Sequence, residues 1–285
     1  MYIFASSNDD NMISDKDTNK VYIAKGLLTN RYGKIANNLT NAFKANGIEY
    51  DFLPQTESDK HIWARDYMPI QIGTDSFLLY SYNPDYLQDE PEYIPNYKSI
   101  CDDLNINYLT TDIVIDGGNV VKNYNKAIMT DKIFKENQKY AKSNLLNKLE
   151  KLLNAEIAII PWDTYEEFGH ADGMIRFVDE NTVLLNNYID FNKSLRKRLI
   201  DLLSKKINVI ELHYDTTSNM NWAYINYLQV GKNLFVPQLG LAEDNLALLQ
   251  LQSIFPDCQI IPIDDCKALV DEGGALNCCT WNIMK

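Results

Sequence analysis

The 285-residue sequence predicts an α/β fold in which a strand–loop–hairpin–helix unit recurs five times and closes into a ring. Three observations carry this expectation. Amphipathic helical patterns fall near 33–46, 92–104, 138–153, 193–206 and 243–254, spaced by about 50 to 60 residues, a period typical of repeat architectures. A short apolar strand follows each helix within a few residues. Hairpin signals, two β-rich runs around a polar turn, then follow several of those strands.

Taken in order, Val21–Ala24 reads as an unassigned N-terminal strand, and the helix at 33–46 leads to a strand over Ile48–Leu53. Pro69–Ile72 and Phe77–Tyr82 flank Gly73-Thr74-Asp75 as a hairpin. The helix at 92–104 has the weakest pattern and precedes a strand over Ile106–Ile115. In the third helix Tyr140, Leu145, Leu146, Leu149, Leu152 and Leu153 keep a helical beat, and Glu156–Trp162 follows as a strand. Met174–Val178 and Thr182–Asn186 flank Asp179-Glu180-Asn181. The fourth helix gathers Leu195, Leu199, Leu202 and Leu203 on one face, ahead of a strand over Ile207–Tyr214. Tyr224–Val230 and Asn233–Pro237 flank Gly231-Lys232, and Cys258–Ile263 follows the last helix. The fifth unit lacks a complete hairpin, because only Thr280-Trp281-Asn282-Ile283 remains. Val21–Ala24 is expected to supply its partner, since a closed ring protects sheet edges.

Composition limits the function. Hydrophobic residues at 46% and charged residues at 23% fit an ordinary soluble globule, read as one domain over 1–285. The segment Met1–Asp10 has no basic region and no apolar core, which argues against a secretory signal. No apolar run approaches the roughly 20 residues that span a bilayer, so no membrane association is expected. Five cysteines without CxxC spacing argue against a disulfide framework or structural zinc and for reduced thiols in a cytoplasm. A net charge of −12 with no dense basic stripe disfavours nucleic acid and suits a cationic ligand.

The chemistry-bearing residues fall at equivalent points of the repeat. Asp66 in Trp63-Ala64-Arg65-Asp66 follows the strand of the first unit, and Asp116-Gly117-Gly118 that of the second. His170 and Asp172 in Gly169-His170-Ala171-Asp172-Gly173 follow the third, Asn226 the fourth and Cys278 the fifth. In a closed ring such loops meet at one end of the axis. Thiol, imidazole and carboxylates together can attack a guanidinium carbon: carboxylates hold the cation, the imidazole moves protons and the thiolate attacks.

Each residue also has a plainer reading. Cys278 could be a small buried hydrophobe, but Gly273-Gly274 before it favours a tight turn near a ligand. In an alternating strand Cys279 would face the opposite side. Gly169–Asp172 is expected to open a strand with His170 and Asp172 on one face. Metal ligation by His170 lacks a second plausible histidine or a cysteine cluster, since His61 and His213 read as ordinary core or surface residues, so neither metal nor organic cofactor is expected. Asp66 could simply pair with Arg65, whereas Trp63 nearby offers a flat surface for a planar cation. Asp116 reads equally as a turn residue or a ligand contact. Asn226, set among apolar residues, needs buried partners whatever its role. Beyond Arg65 and Arg176 the sequence offers no obvious basic group to meet a substrate carboxylate.

Trp63-Ala64-Arg65-Asp66-Tyr67-Met68-Pro69, Asp116-Gly117-Gly118, Gly169-His170-Ala171-Asp172, Tyr224-Ile225-Asn226 and Gly273-Gly274-Ala275-Leu276-Asn277-Cys278-Cys279-Thr280 resemble, in order, the motifs of the agmatine deiminase and bacterial peptidylarginine deiminase family. The similarity runs from about residue 20 onward. It implies the fivefold α/β-propeller (pentein) of guanidine-modifying enzymes and a small cationic guanidine as substrate. It also implies Cys278 as nucleophile, His170 as acid/base, Asp66 and Asp172 as the guanidinium grip, and Asn226 as a member of the site. Trp63, Arg65, Asp116, Gly274 and Asn277 are the expected substrate contacts. Oligomeric state stays open, homo-oligomers included. The sequence departs from the family at two places. Asn277 stands where agmatine deiminases commonly carry His, and Asn83-Pro84-Asp85-Tyr86 replaces their usual Trp-Gly-Gly segment.

Overall fold

The computed structural model describes residues 11–55, 57–166, 168–215 and 221–285, so the reading of Met1–Asp10 lies outside the described residues. Five three-stranded sheets are built from β1 (Lys20–Ile23), β2 (Glu49–Phe52), β3 (Ile70–Gly73), β4 (Ser76–Ser81), β5 (Tyr108–Val114), β6 (Val121–Asn123), β7 (Lys126–Thr130), β8 (Glu156–Ile160), β9 (Ile175–Phe177), β10 (Thr182–Leu185), β11 (Asn208–Glu211), β12 (Leu228–Val230), β13 (Asn233–Pro237), β14 (Gln259–Ile263) and β15 (Thr280–Ile283). Their orders are β15-β1-β2, β3-β4-β5, β6-β7-β8, β9-β10-β11 and β12-β13-β14. In every sheet the middle strand pairs antiparallel on one side and parallel on the other. A helix makes each parallel crossover: Gly33–Ala45, Tyr97–Asp103, Lys142–Leu153, Lys193–Leu203 and Asp244–Ile254.

The helices form because one face can be buried. Ile35, Ala36, Leu39 and Phe43 of the first are buried at helical spacing, and Phe43 meets Phe235 of β13 edge-on at 4.9 Å. Leu145, Leu149 and Leu153 repeat the pattern, as do Leu195, Leu199 and Leu203. Each such leucine contributes about 1.5–3 kcal/mol by leaving water.

Several expectations shift. Tyr140 precedes its helix, which starts at Lys142, and Leu202 is 41% exposed, off the buried face. The helix expected at 92–104 shrinks to Tyr97–Asp103 because Pro95 interrupts it; Asn96 caps it by accepting from the Ser99 N–H. Tyr224 sits in a 3-10 turn, Asn221–Tyr224, rather than in a strand. The hairpin β6–β7 carried no sequence signal: its turn places Tyr124, not glycine, at φ 53°. The expected pairing of the first and last strands does occur, with Tyr22 opposite Trp281.

The segments between one sheet and the next are equivalent connections. They carry Trp63 to Asp66 (β2 to β3), Asp116 (β5 to β6), His170 and Asp172 (β8 to β9), Asn226 (β11 to β12) and Cys278 (β14 to β15). The short helix Ala64–Tyr67 contacts the turn Gly117–Asn119, which in turn contacts the turn Ala171–Gly173. Among the described residues no helix is long and apolar enough to cross a membrane.

Candidate active site

Cys278 lies in a turn just before β15, not in a strand as the alternating reading supposed. Its N–H and Sγ both approach Asn226 Oδ1, at 3.4 and 3.3 Å, and Sγ is 3.7 Å from Asp172 Oδ2. The Asn226 backbone carbonyl also accepts from the Asn277 N–H, so one asparagine clamps two successive residues of the turn. Its Nδ2 is buried without a partner. The turn separates the two thiols all the same. Cys279 Sγ faces Leu276 O in the hydrophobic core.

His170 precedes the turn Ala171–Gly173 rather than opening a strand, which begins only at Ile175. Gly169, at φ +69°, turns the chain into it, and the Thr130 hydroxyl fixes the Gly169 carbonyl at 2.6 Å. The imidazole lies between two carboxylates: Nδ1 is 3.7 Å from Asp66 Oδ1 and Nε2 is 3.0 Å from Asp116 Oδ2. Asp66 Oδ1 also accepts from the Gly118 N–H at 3.0 Å, and a Cβ at Gly118 would fall within 2.8 Å of both Asp66 and His170. Asp172 Oδ2 accepts from Asn277 Nδ2 at 2.7 Å.

Two lobes of a cleft, of about 270 and 580 Å³, meet at Cys278, His170, Phe168 and Gly273. Trp63, Asp66, Tyr86 and Gly274 belong to the smaller lobe, and Asp172, Asn226, Glu166 and Trp222 to the larger. Both glycines are required by close approach. A Cβ at Gly274 would lie 2.2 Å from the Trp63 ring, and one at Gly273 2.4 Å from Phe168.

Burial sets the electrostatics. It pushes the Asp66 carboxyl up to about 7; His170 opposes the shift, and Asp116 and Asp172 add to it. Burial alone would neutralise His170, but Asp66, Asp116 and Glu166 outweigh it and carry the imidazole up to about 10. Asp116 stays ionised below its ordinary value because His170 and Lys132 overcome its burial. Burial, then Asp172 and Asp66, hold the Cys278 thiol well above its usual value. The carboxylates that face the thiol thus oppose its ionisation.

Not every expected residue reaches the cleft. Asp116 backs His170 and lines neither lobe. Arg65 points the other way, donating to Asn277 O and Asn282 Oδ1, and Asn277 reaches Asp172 from that far side. Arg176 is there too, bound to Asp15 Oδ2 at 2.8 Å and to Tyr227 O. Sequence reasoning missed Lys132, Phe168 and Glu166. Only the last left a usable sign, an acidic residue four positions ahead of His170. Among the described residues no group of three or more His, Cys, Asp or Glu could hold a metal ion.

A Lactococcus lactis protein provisionally named agmatine deiminase is 26% identical, the match covering 61% of this chain and 58% of that one. The chain thus spans less than two thirds of the length of the curated relatives it matches first. In structure, the chain resembles the agmatine deiminase of Enterococcus faecalis (TM-score 0.75, 18% identity, 98% and 97% coverage) and an amidinotransferase from Microseira wollei (TM-score 0.67, 11% identity, 96% and 97% coverage). At those identities the likeness concerns the fold. The Porphyromonas-type peptidyl-arginine deiminase model matches residues 36–283, nearly the whole length described above, and the chain belongs to that family.

Proposed function

We propose that the protein is a hydrolytic guanidine deiminase acting on a small, agmatine-like cation, with the five sheets closing as blades of a pseudo-fivefold ring in a single domain. One observation carries this reading: a buried thiol and a buried imidazole share a two-lobed cleft with two carboxylates, Asp66 and Asp172, neither of which is paired with a lysine or arginine among the described residues. A guanidinium supplies the partner cation. Asp66 and Asp172 accept its N–H groups in charge-assisted pairs, and the bound positive charge removes what held the Cys278 proton on.

The chemistry then balances with this chain's own groups. Cys278 Sγ, having released its proton to solvent, bonds to the central carbon as the C=N electron pair moves onto nitrogen. The His170 imidazolium donates a proton to one nitrogen, the C–N bond breaks and ammonia leaves. Neutral His170 next takes a proton from water as its oxygen bonds to that carbon. The C–S bond breaks as the hydroxyl proton passes to sulfur, leaving a ureido product and the Cys278 thiol, with His170 again an imidazolium. Asp116 holds His170 in place, and Asn226 holds the thiol. The family's model and the provisional names of its relatives support this reaction class.

The tail is read from the cleft's charge. Among the described residues lining either lobe, Lys60 of the smaller lobe is the one lysine or arginine, and it is paired with Glu92 at 3.1 Å; the other cation, His170, is held by Asp66 and Asp116. Arg65 and Arg176, the expected partners for an α-carboxylate, face elsewhere. A substrate carboxylate would be buried unpaired, which favours a decarboxylated guanidine. The test is ammonia release from agmatine, free arginine and an arginyl peptide, with no added amine acceptor, by wild type and Cys278→Ala. Agmatine is expected to give the highest kcat/KM and the variant no turnover. A tenfold preference for either arginine substrate would overturn the tail assignment. No ammonia from any substrate, with the substrate's free alkyl amine and a new guanidine formed once an amine acceptor is added, would make the enzyme an amidinotransferase.

A further inference from the structure

Behind the cleft wall lies a lysine that the reaction does not use. The Lys132 side chain is fully buried, its Nζ 2.9 Å from Asp116 Oδ2, 2.9 Å from Glu136 Oε1 and 3.6 Å from Asp85 Oδ1. Its ammonium also sits 4.6 Å from the centre of the Tyr86 ring. The lysine stem runs beneath the chain entering His170, where a Cβ at Gly169 would come within 2.7 Å of Lys132 Cδ. Burying a lone ammonium is prohibitive, so three carboxylates from three separate segments surround this one.

Two contacts give the arrangement a functional direction. His170 Nε2 and Lys132 Nζ both donate to Asp116 Oδ2, while Asp116 Oδ1 is buried with no partner. Sharing one oxygen at 3.0 and 2.9 Å, the two nitrogens lie no more than about 6 Å apart, where like charges still repel appreciably. The second contact is with the Asn83–Tyr86 segment that replaces Trp-Gly-Gly. Asp85 reaches Lys132 and Lys135 through its carboxylate and Glu136 through its N–H. That segment presents Tyr86 to the smaller lobe, edge-on to Phe168 at 5.0 Å.

We propose that Lys132 is a positioning residue serving both walls of the site: it holds Asp116 beneath His170 and ties the Tyr86 segment over the cleft. The inference rests on the deiminase reading. Asp66, Asp116, Glu166 and Asp172 face His170 with negative charge, beside the Cys278 thiol and the Tyr86 phenol. Lys132 offsets that field from the side of Asp116, and Glu136 offsets Lys132. Removing Lys132 therefore favours the imidazolium, and neutralising Glu136 disfavours it.

The chain has three histidines, so the titration of His170 is readable by NMR against His61 and His213. Lys132→Met should move it upward by about one pH unit, and Glu136→Gln downward by about half a unit. Water activation needs neutral imidazole, so the ascending limb of kcat against pH should move with each. Lys132→Met should also raise KM several-fold. Asp85→Asn should raise KM while moving the His170 titration less than Glu136→Gln does, because Asp85 is 36% exposed and screened by solvent. Shifts of the same sign in Lys132→Met and Glu136→Gln, or none in either, would overturn the proposal; opposite signs are not produced by simple loosening of the core. If wild type released no ammonia, the deiminase reading would fail by itself, with the NMR titrations still deciding the coupling.

Discussion

The two sides of the Cys278 turn carry opposite electrostatics. On the cleft side, Asp66 and Asp172 face a thiol and an imidazole, with negative charge in excess. On the other side, Arg65, Lys122 and Arg176 are gathered around one carboxylate, Asp15, in a cavity of about 30 Å³, room for about one water. Asp15 lies 3.7 Å from Lys122 and 2.8 Å from Arg176, and Asn282 also donates to it. Burial, aided by Arg65 and Arg176, lowers the Lys122 ammonium from its ordinary value despite Asp15. Asp172 lines both spaces and is the partition between them. Consecutive motif residues thus divide their labour: Arg65 and Asn277 build the back, while Asp66 and Cys278 face the cleft.

The contrast can be broken most strongly from the front. Asp66→Asn and Asp172→Asn should each lower kcat/KM by roughly 30-fold to several thousandfold, the effect of losing one partner of a desolvated charged hydrogen bond at about 2–5 kcal/mol. Steady-state kinetics giving wild-type values for both would remove the guanidinium grip.

The back should answer in stability instead. Asp15→Asn leaves Arg176 and Lys122 without their shared carboxylate, at about 1.5–3 kcal/mol, which should lower Tm by several degrees in thermal denaturation. Its kcat should stay within a few-fold of wild type. A large loss of kcat at unchanged Tm would place Asp15 in the chemistry and dissolve the two-sided picture.

The smallest expected effect sharpens the comparison at the thiols. With the Cys278 pKa raised in the free protein, a neutral haloacetamide should label it slowly at pH 7 and faster as pH rises past 9. A cationic haloacetamidine should label it readily at pH 7, because its charge stands in for that of the substrate. Cys279→Ala should change neither rate by more than a few-fold. Peptide mapping of the amidine adduct to Cys279 would reverse the assignment.

The repeat and the five connections were legible because each rests on local pattern: leucines four residues apart, β-rich runs, and turn residues between them. The meeting of Asp66, His170, Asp172, Asn226 and Cys278 followed from placing those connections at one phase of the repeat. The direction of Arg65 and Asn277 was not legible, because a turn, unlike a strand, imposes no alternation on its side chains. Lys132 was hidden for another reason. In a short charged stretch, Lys132-Ile133-Phe134-Lys135-Glu136, a lysine reads as surface. Its burial depends on Asp85 and Asp116, contributed by distant segments, as well as on Glu136.

Pairing of β15 with β1 has a consequence for the order of events during folding. Cys278 stands just ahead of β15, an edge strand whose sheet partner is a strand from the opposite end of the sequence. Until that long-range pairing forms, the turn that aims the thiol at Asn226 and Asp172 has no anchor on its C-terminal side. Closing so large a loop is slow compared with local helix and hairpin formation. A growing or partly folded chain therefore carries an ordinary cysteine. On that order the contacts of Sγ with Asn226 and Asp172 form late, and a substrate cation finds a thiol to activate only once β15 is paired.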